Sequence, residues 1–124
     1  MRVLKTRVFA RFAKSESITD AQLAVAIMQA ELGLIDADLG GGLIKLRIAR
    51  SGKGKRGGFR TVIAYRAGSR AVFLTGFAKS RRDNIEPFEL AALKLAAADL
   101  LSVTDKAVNI FVDGQRLIEV YYDG

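Results

Sequence analysis

Hydrophobic and polar residues alternate in the middle of the chain, which predicts three consecutive antiparallel strands. From Leu43 to Arg50 apolar residues alternate with basic ones, the pattern of a half-buried strand. Two further runs, rich in β-branched and aromatic residues, predict strands over Phe59–Arg66 and Val72–Phe77. The turn that joins these two strands falls at Gly68 and the residue after it.

The two ends of the chain have less regular patterns. Val3–Phe9 is rich in β-branched residues and predicts a further strand, although Phe9–Lys14 also fits the beginning of a helical turn. The C-terminal tail is ambiguous. Its residues allow a short helix over Thr104–Asp113 and a final strand over Leu117–Tyr121.

Two helices flank the predicted strands. Thr19 is the predicted N-cap of the first helix, Gln22 completes a capping box, and Gly33 ends the helix. The second helix begins within Asp83–Glu89, where acidic residues and a proline favour a helix start. Apolar residues at helical spacing form the buried stripes, Leu23, Ile27 and Ala30 in the first helix and Leu90, Leu93, Ala97 and Leu101 in the second. The sequence therefore predicts one α+β domain over residues 1–124, a small antiparallel sheet of about four strands with both helices packed on it.

The composition limits the chemistry of this domain. The chain has 124 residues, enough to bury a core without disulfides, and it contains no Cys, His or Trp. The absence of imidazole and thiolate excludes His-based triads, thiol nucleophiles and zinc-finger sites. Any catalysis must therefore use Lys, Arg, Tyr, Ser, Thr or carboxylates.

The charge is distributed unevenly along the chain. Twelve of the 20 Lys and Arg residues lie between Leu39 and Arg82, where there is no acid, while all 13 acids lie outside this segment. A segment of this kind repels itself, which is typical of surfaces that bind a polyanion. We therefore favour contact with nucleic acid over an ordinary solvated surface.

A glycine-rich segment inside the basic region matches a nucleotide-binding pattern in its letters but not in its context. Gly52–Gly57 reads GxGxxG, a motif that needs a following helix and, about twenty residues later, an acid for the ribose. A strand is predicted to follow instead, and the next acid is Asp83. We interpret the segment as a loop whose cations contact the phosphates of an extended polymer. These cations are Lys53, Lys55 and Arg56.

A second group of cations, Lys79-Ser80-Arg81-Arg82, follows the third predicted strand at the start of a helix, where anions are favoured. Between the two groups, Arg60 lies on a strand, which holds its side chain more rigidly than a loop would.

Asp36 and Asp38 lack a third ligand for a metal ion, and the basic segment after them opposes a cation. We interpret these two aspartates as turn formers.

The order of elements and three motifs resemble the RelE/HigB-type toxins of bacterial type II toxin–antitoxin systems, in the RelE/ParE superfamily. The motifs are Asp38–Lys45 with its three glycines, Gly54–Thr61 with Gly-Gly-Phe-Arg, and Gly76–Ser80. The resemblance covers nearly the whole chain. It implies a RelE-like fold and a ribosome-dependent endoribonuclease, or mRNA interferase, that cuts mRNA in the decoding site. It also implies a cognate antitoxin, which we expect to be a small helix-turn-helix protein.

The resemblance implies roles for particular residues. In the family, lysines of the loop contact and polarise the RNA, and the resemblance implies this role for Lys53 and Lys55. The arginine of Gly-Phe-Arg stabilises the phosphate in the transition state, and the resemblance implies this second role for Arg60. In the family, a further basic residue of the active site follows the last of these strands. Lys79, Arg81 and Arg82 are all candidates for this residue, and we include Lys79 among the catalytic candidates. Further RNA contacts are expected from Lys45, Arg47, Arg56, Arg81 and Arg82.

The residue that moves protons is left open by the resemblance. Some family members have Tyr or His a few residues after the last strand, whereas Asp83–Glu86 contains neither. The candidates that remain are Tyr65, Tyr121, Tyr122 and Glu86.

The residues also predict the type of reaction. A two-metal nuclease needs several converging carboxylates, and the segment expected to bind RNA contains none. We therefore expect no metal and no cofactor. Arg and Lys would stabilise charge on the phosphorane, with the RNA 2′-OH as nucleophile.

Two other function classes remain as alternatives. A non-catalytic double-stranded-RNA-binding module shares the order helix, three strands, helix, but it needs lysines where the second helix has Glu86 and Glu89. A DNA-binding regulator needs a recognition helix with exposed cations, and neither predicted helix has one. No apolar stretch approaches the ~18 residues of a membrane span, and no secretory signal is visible, so we expect a cytoplasmic protein without membrane contact.

Overall fold

The computed structural model describes residues 1–50, 54–82 and 84–122, with the backbone alone for residues 54–56. This part of the chain forms six strands, β1 (Arg2–Thr6), β2 (Ala37–Gly40), β3 (Leu43–Arg50), β4 (Gly54–Arg66), β5 (Arg70–Ala78) and β6 (Leu117–Val120). It also forms four helices, α1 (Arg7–Ser15), α2 (Asp20–Glu31), α3 (Pro87–Ser102) and α4 (Asp105–Asp113).

All six strands belong to one sheet, in the order β2-β3-β4-β5-β1-β6. Neighbouring strands are antiparallel except β1 and β5, which are parallel. The predicted α+β class and the three central antiparallel strands are confirmed. The sheet is larger than the four strands predicted, because the glycine-containing connector supplies β2 and the C-terminal tail supplies β6. The alternation of apolar and polar residues did not predict β2, because this strand has only four residues.

The N-terminal strand ends earlier than predicted because a helix begins there. β1 stops at Thr6, whose hydroxyl accepts a hydrogen bond from the Phe9 amide (3.1 Å) and donates one to the Leu74 carbonyl (2.9 Å). Thr6 therefore caps α1 and fixes it to β5. The sequence alone did not predict this helix as a separate element, and the statement about exposed cations concerned only the two predicted helices. The exposed residues of α1 include Arg7, Arg11 and Lys14.

The predicted helix boundaries agree well with the structure. Both capping-box hydrogen bonds join Thr19 and Gln22 at the start of α2, and Gly33 follows the helix with φ +81°. Thr104 caps α4, and Gly114 ends it. The predicted stripe of α2 is buried, whereas that of α3 is fully buried only at Ala97 and Leu101 and half-buried at Leu90 and Leu93. No helix among the described residues is long and apolar enough to cross a membrane.

The helices cover both faces of the sheet and create two cores. α1 and α2 pack on one face, here called the α1–α2 face, around a core that includes Phe9, Ile27, Phe59, Ile63 and Phe73. α3 and α4 pack on the opposite face, here called the α3–α4 face, around Leu4, Val62, Val72, Leu101 and Val108. Because β3 and β4 alternate between these cores, each exposed cation on them can be assigned to one face.

One arginine of the sheet, Arg70, forms hydrogen bonds to the junction of α3 and α4. Arg70 is only 6% exposed, and its Nη1 donates hydrogen bonds to the carbonyls of Leu100 and Val103, both at 2.8 Å. Its Nη2 donates to Asp105 Oδ1 at 2.7 Å. This guanidinium therefore satisfies the C-terminal carbonyls of α3 and is itself compensated.

Candidate functional site

Three neighbouring strands bring Arg47, Arg60 and Phe77 into one row across the sheet. Arg47 lies opposite Arg60 in the β3–β4 pair, and Arg60 lies opposite Phe77 in the β4–β5 pair. Directly opposed residues point to the same face, with Cβ atoms about 4.5–5.5 Å apart. This is the α3–α4 face, because Phe59 belongs to the core of the other face and Val62 to the core of this one. We call these three residues the Arg60 row.

Arg60 is a buried cation with one nitrogen that has no partner in the part of the chain that the structure describes. It is 5% exposed, and its Nη1 is buried with no hydrogen-bond partner among the described residues. None of the ion pairs in that part of the chain includes it. Arg70, equally buried on the same face, has three acceptors. An unpaired buried charge is costly, so an anion that reached this guanidinium would stabilise it.

The backbone is packed tightly around Arg60. A Cβ on Gly58 would lie 2.1 Å from the Ile48 carbonyl oxygen, and a Cβ on Gly76 would lie 2.6 Å from the Phe12 ring. Only glycine fits at these two positions. Gly58 therefore allows β3 and β4 to pack closely beside Arg60, and Gly76 leaves room for Phe12 of α1 on the other face of β5.

Two lysines and a further arginine lie near the Arg60 row. Lys45 is half-buried two residues before Arg47, on the same face of β3. Lys79 follows β5, and its amide donates to the Gly58 carbonyl (3.3 Å), which places it at the same end of the sheet as the row. Arg81 is exposed in the turn after β5. The structure therefore brings these predicted site residues together at one end of the sheet.

The other cations of the basic segment are distributed differently. Arg66 and Arg70 lie at the opposite end of β4 and β5, so the segment does not form one continuous surface. Lys53 and the side chains of Lys55 and Arg56 lie outside the described residues, and their predicted roles stay predictions. The strand β4 begins at Gly54, which confirms that no helix follows the GxGxxG pattern and that the pattern is not a dinucleotide-binding motif.

The two aspartates before the basic segment have structural partners. Asp36 Oδ2 lies 3.5 Å from Arg47 Nε in a partly exposed ion pair. Asp38 Oδ1 accepts a hydrogen bond from the Gly40 amide at 2.9 Å. Within the described ranges, no group of three or more Asp, Glu, His or Cys residues is arranged to hold a metal ion.

Arg82 is held in place at the edge of the site. Its guanidinium carbon lies 4.9 Å from the centre of the Phe77 ring, a cation–π contact. Glu89, in the first turn of α3, receives two hydrogen bonds from it, Nη1–Oε2 at 3.2 Å and Nη2–Oε1 at 2.5 Å. The Asn84 carbonyl accepts two more, from Nε at 3.1 Å and Nη2 at 2.8 Å. We call Phe77 and Arg82 the Phe77–Arg82 stack.

The hydrogen bonds at Glu89 also affect its ionisation. Those from Arg82 and from the Glu86 amide lower the pKa of the Glu89 carboxyl, and the carboxylate in turn raises the pKa of Arg82.

The sequence alone did not identify Phe77 or Glu89 as site residues. Phe77 lies within the third motif, but its position beside Arg60 depends on strand register, which the motif does not specify.

The four candidates for proton transfer lie in different places. Tyr65 packs on the α1–α2 face, where burial, reinforced by the Glu31 carboxylate, raises its pKa to about 12. Tyr122 packs against the same core, and Tyr121 follows β6, three strands away from β4. Glu86, the N-cap of α3, is the one among the four at the same end of the α3–α4 face as Arg82.

Comparison with known proteins agrees with the architecture and the motifs. Residues 1–120 match a protein-family model described as "RelE toxin of RelE / RelB toxin-antitoxin system". No curated protein matches the chain. The family match covers every strand and helix described above and all of the candidate site residues except Tyr121 and Tyr122.

Proposed function

Because the chain belongs to the RelE toxin family of toxin–antitoxin systems, we propose that it is a ribosome-dependent endoribonuclease that cuts mRNA. The main support for this proposal is the environment of Arg60. This guanidinium is buried at the cationic end of the sheet, and its Nη1 has no partner in the described part of the chain. A phosphate of RNA would supply the missing negative charge. The charge-stabilising group of a phosphodiester cleavage needs this rigid placement.

The proposed reaction uses the RNA itself as nucleophile. The 2′-oxygen forms a bond to phosphorus, its proton passes to a base, the bond from phosphorus to the 5′-oxygen breaks, and that oxygen receives a proton. The products are a 2′,3′-cyclic phosphate and a 5′-hydroxyl end. Arg60 would stabilise the phosphorane charge, and Lys53, Lys55 and Lys79 would position and polarise the phosphate. No metal or cofactor takes part in this scheme.

The remaining cations would hold the RNA on either side of the cleaved bond. Arg47 belongs to the Arg60 row, Lys45 and Arg81 lie near it, and we assign Arg56 the same role. Contacts of this kind bind phosphates without reading sequence. The orientation of the RNA would therefore follow from the row of cations, while any codon preference would come from contacts to the bases.

The family implies a cognate antitoxin. We propose that this partner is a small helix-turn-helix protein that covers the cationic end of the sheet with acidic residues and so excludes RNA. Electrostatic attraction of this kind increases the rate of association and weakens as salt screens it.

Induction of the protein without its antitoxin is expected to stop bacterial growth and to produce cuts in translated mRNA. Arg66→Ala removes one exposed cation at the opposite end of β4 and is expected to leave the arrest unchanged, which controls for net charge. Growth curves and primer extension on a reporter mRNA, translated or with its ribosome-binding site removed, measure both effects. Normal growth with intact mRNA at a full level of folded protein would contradict the proposal.

The chemistry of the RNA ends provides a second prediction. The downstream fragment is expected to carry a 5′-hydroxyl, because the 5′-oxygen is the leaving group. Polynucleotide kinase should label this fragment without prior phosphatase treatment, and a single 2′-deoxy substitution at the cleaved nucleotide should block the cut. Fragments with a 5′-phosphate, or cleavage of the deoxy-substituted mRNA, would exclude the 2′-OH mechanism.

A further inference from the structure

Arg82 differs from the other cations of the site because four of its five N–H donors are used. Nε, Nη1 and Nη2 all donate to Glu89 or to the Asn84 carbonyl. A guanidinium binds a phosphate through these same donors. Arg82 therefore has few donors left for a phosphate in this arrangement.

The charge of Arg82 is also compensated locally. Glu89 forms a bidentate ion pair with it and is itself fixed to the first turn of α3 by a hydrogen bond from the Glu86 amide at 3.1 Å. Among the described residues, Arg60 has no ion-pair partner, and the ion pair of Arg47 is the looser one with Asp36 at 3.5 Å. The attraction of Arg82 for a polyanion is therefore weakened.

The planar guanidinium group of Arg82 is the surface that an RNA base could still contact. The guanidinium carbon lies over the Phe77 ring, 4.9 Å from its centre, and 37% of the Arg82 side chain is still exposed. No aromatic ring of the described residues covers the opposite face. Planar guanidinium groups and aromatic rings are the surfaces on which proteins stack unpaired bases.

We propose that the Phe77–Arg82 stack is a base-stacking platform, which receives the nucleobase next to the phosphate bound by Arg60. The proposal rests on the proposed RNA cleavage and assigns a substrate contact within it. Phe77 lies directly beside Arg60 in the sheet, so a base on this platform is adjacent to the cleaved bond. Glu89 is a positioning residue, because it fixes the plane of the guanidinium without reaching the RNA.

The platform has a consequence for sequence preference. Every base has a flat face, and the hydrogen-bonding edge of Arg82 is occupied by protein acceptors. Stacking at this position therefore tolerates all four bases, with stronger binding for purines because their rings are larger. Phe77 and Arg82 are expected to affect substrate affinity and orientation more than codon choice.

Three variants separate stacking from phosphate binding. Arg82→Lys keeps the charge but removes the planar group, and it is expected to weaken binding about tenfold, in the range of one stacked base. Glu89→Gln loosens the guanidinium and is expected to weaken stacking. If Arg82 bound a phosphate, the same Glu89→Gln change would strengthen binding instead, because it frees a cation. Arg66→Lys, at an exposed arginine at the opposite end of β4, is the control and should have little effect.

The measurement uses a single-stranded 2′-O-methyl oligoribonucleotide containing 2-aminopurine, which cannot be cleaved through its 2′-oxygens. Titration of wild-type protein should change the 2-aminopurine fluorescence as the base stacks. Arg82→Lys and Glu89→Gln should reduce this change, while thermal melts confirm that both variants are folded. The salt dependence of binding should stay as in wild type for Arg82→Lys, because the charge is conserved.

The outcomes distinguish this inference from the proposed function. An unchanged fluorescence signal and unchanged cleavage in Arg82→Lys, or tighter binding in Glu89→Gln, would overturn the platform while leaving the nuclease proposal intact. Wild-type protein that gives no stacking signal would also overturn it. A normal stacking signal in a protein that never cuts mRNA would contradict the nuclease proposal and support the platform as part of an RNA-binding surface.

Discussion

A variant in which methionine replaces Arg60 is expected to lose activity without losing stability. Removal of one positioned charge-stabilising group reduces a rate by about 10²-fold or more, so mRNA cleavage and growth arrest should disappear. The free energy of unfolding should equal that of wild type or exceed it by up to about 2 kcal/mol, because a buried guanidinium whose Nη1 has no described partner is replaced by an apolar chain of similar length. Single-turnover cleavage on programmed ribosomes and urea unfolding measure the two effects.

The combination of effects makes this variant informative. Loss of activity together with a large loss of stability would mean that Arg60 is needed for the fold and would remove the main support for the site. Full activity in a stable Arg60→Met protein would move the catalytic centre elsewhere. Arg60→Lys is the conservative companion, and it should recover only part of the rate because an ammonium lacks the planar fork of donors.

The same substitution at Arg70 is expected to have the opposite effect on stability. Arg70 donates hydrogen bonds to two carbonyls at the end of α3 and to Asp105. Arg70→Met leaves the carbonyls of Leu100 and Val103 without this donor, and we expect it to lower the free energy of unfolding by about 2–4 kcal/mol. Urea unfolding followed by circular dichroism measures the change.

The control for Arg70 is Asp105→Asn. The Asp105 side chain is 82% exposed, so this ion pair contributes little, and the variant should lose less than about 1 kcal/mol. Since both carbonyl contacts are kept, a large loss in Asp105→Asn would show that the ion pair, and not the helix-end hydrogen bonds, holds the junction. An Arg70→Met protein as stable as wild type would show that α3 and α4 are fixed by their apolar contacts alone.

Local sequence signals predicted much of the secondary structure correctly. Thr19 and Gln22 define the start of α2 because a capping box satisfies backbone groups within four residues, and Gly33 ends the helix for the same local reason. The alternating segment from Leu43 likewise predicted β3. The signals failed where a long-range contact decides the element. Thr6 ends β1 and begins α1, partly because its hydroxyl donates to the carbonyl of Leu74, a residue far along the chain.

The site shows the same division between local and long-range information. Arg60 and Lys79 could be proposed from their motifs, because the glycines around them and the charge of the segment are visible in the chain. The parallel placement of β1 beside β5, and the separation of Arg66 and Arg70 from the other cations, could not. These features depend on strand order and register, which local sequence patterns do not encode.

The sequence by itself determined the α+β class, the family resemblance and the segment that carries the cations, because periodicity, caps and charge are properties of neighbouring residues. Only the tertiary structure decided which acceptors each arginine contacts. Arg60, Arg70 and Arg82 are alike in the sequence, yet the fold gives Arg70 two helix-end carbonyls and Asp105, gives Arg82 the Glu89 carboxylate, and leaves Nη1 of Arg60 without a described partner. The physical reason is that compensation of a buried charge depends on acceptors from distant segments, which are brought to it by packing.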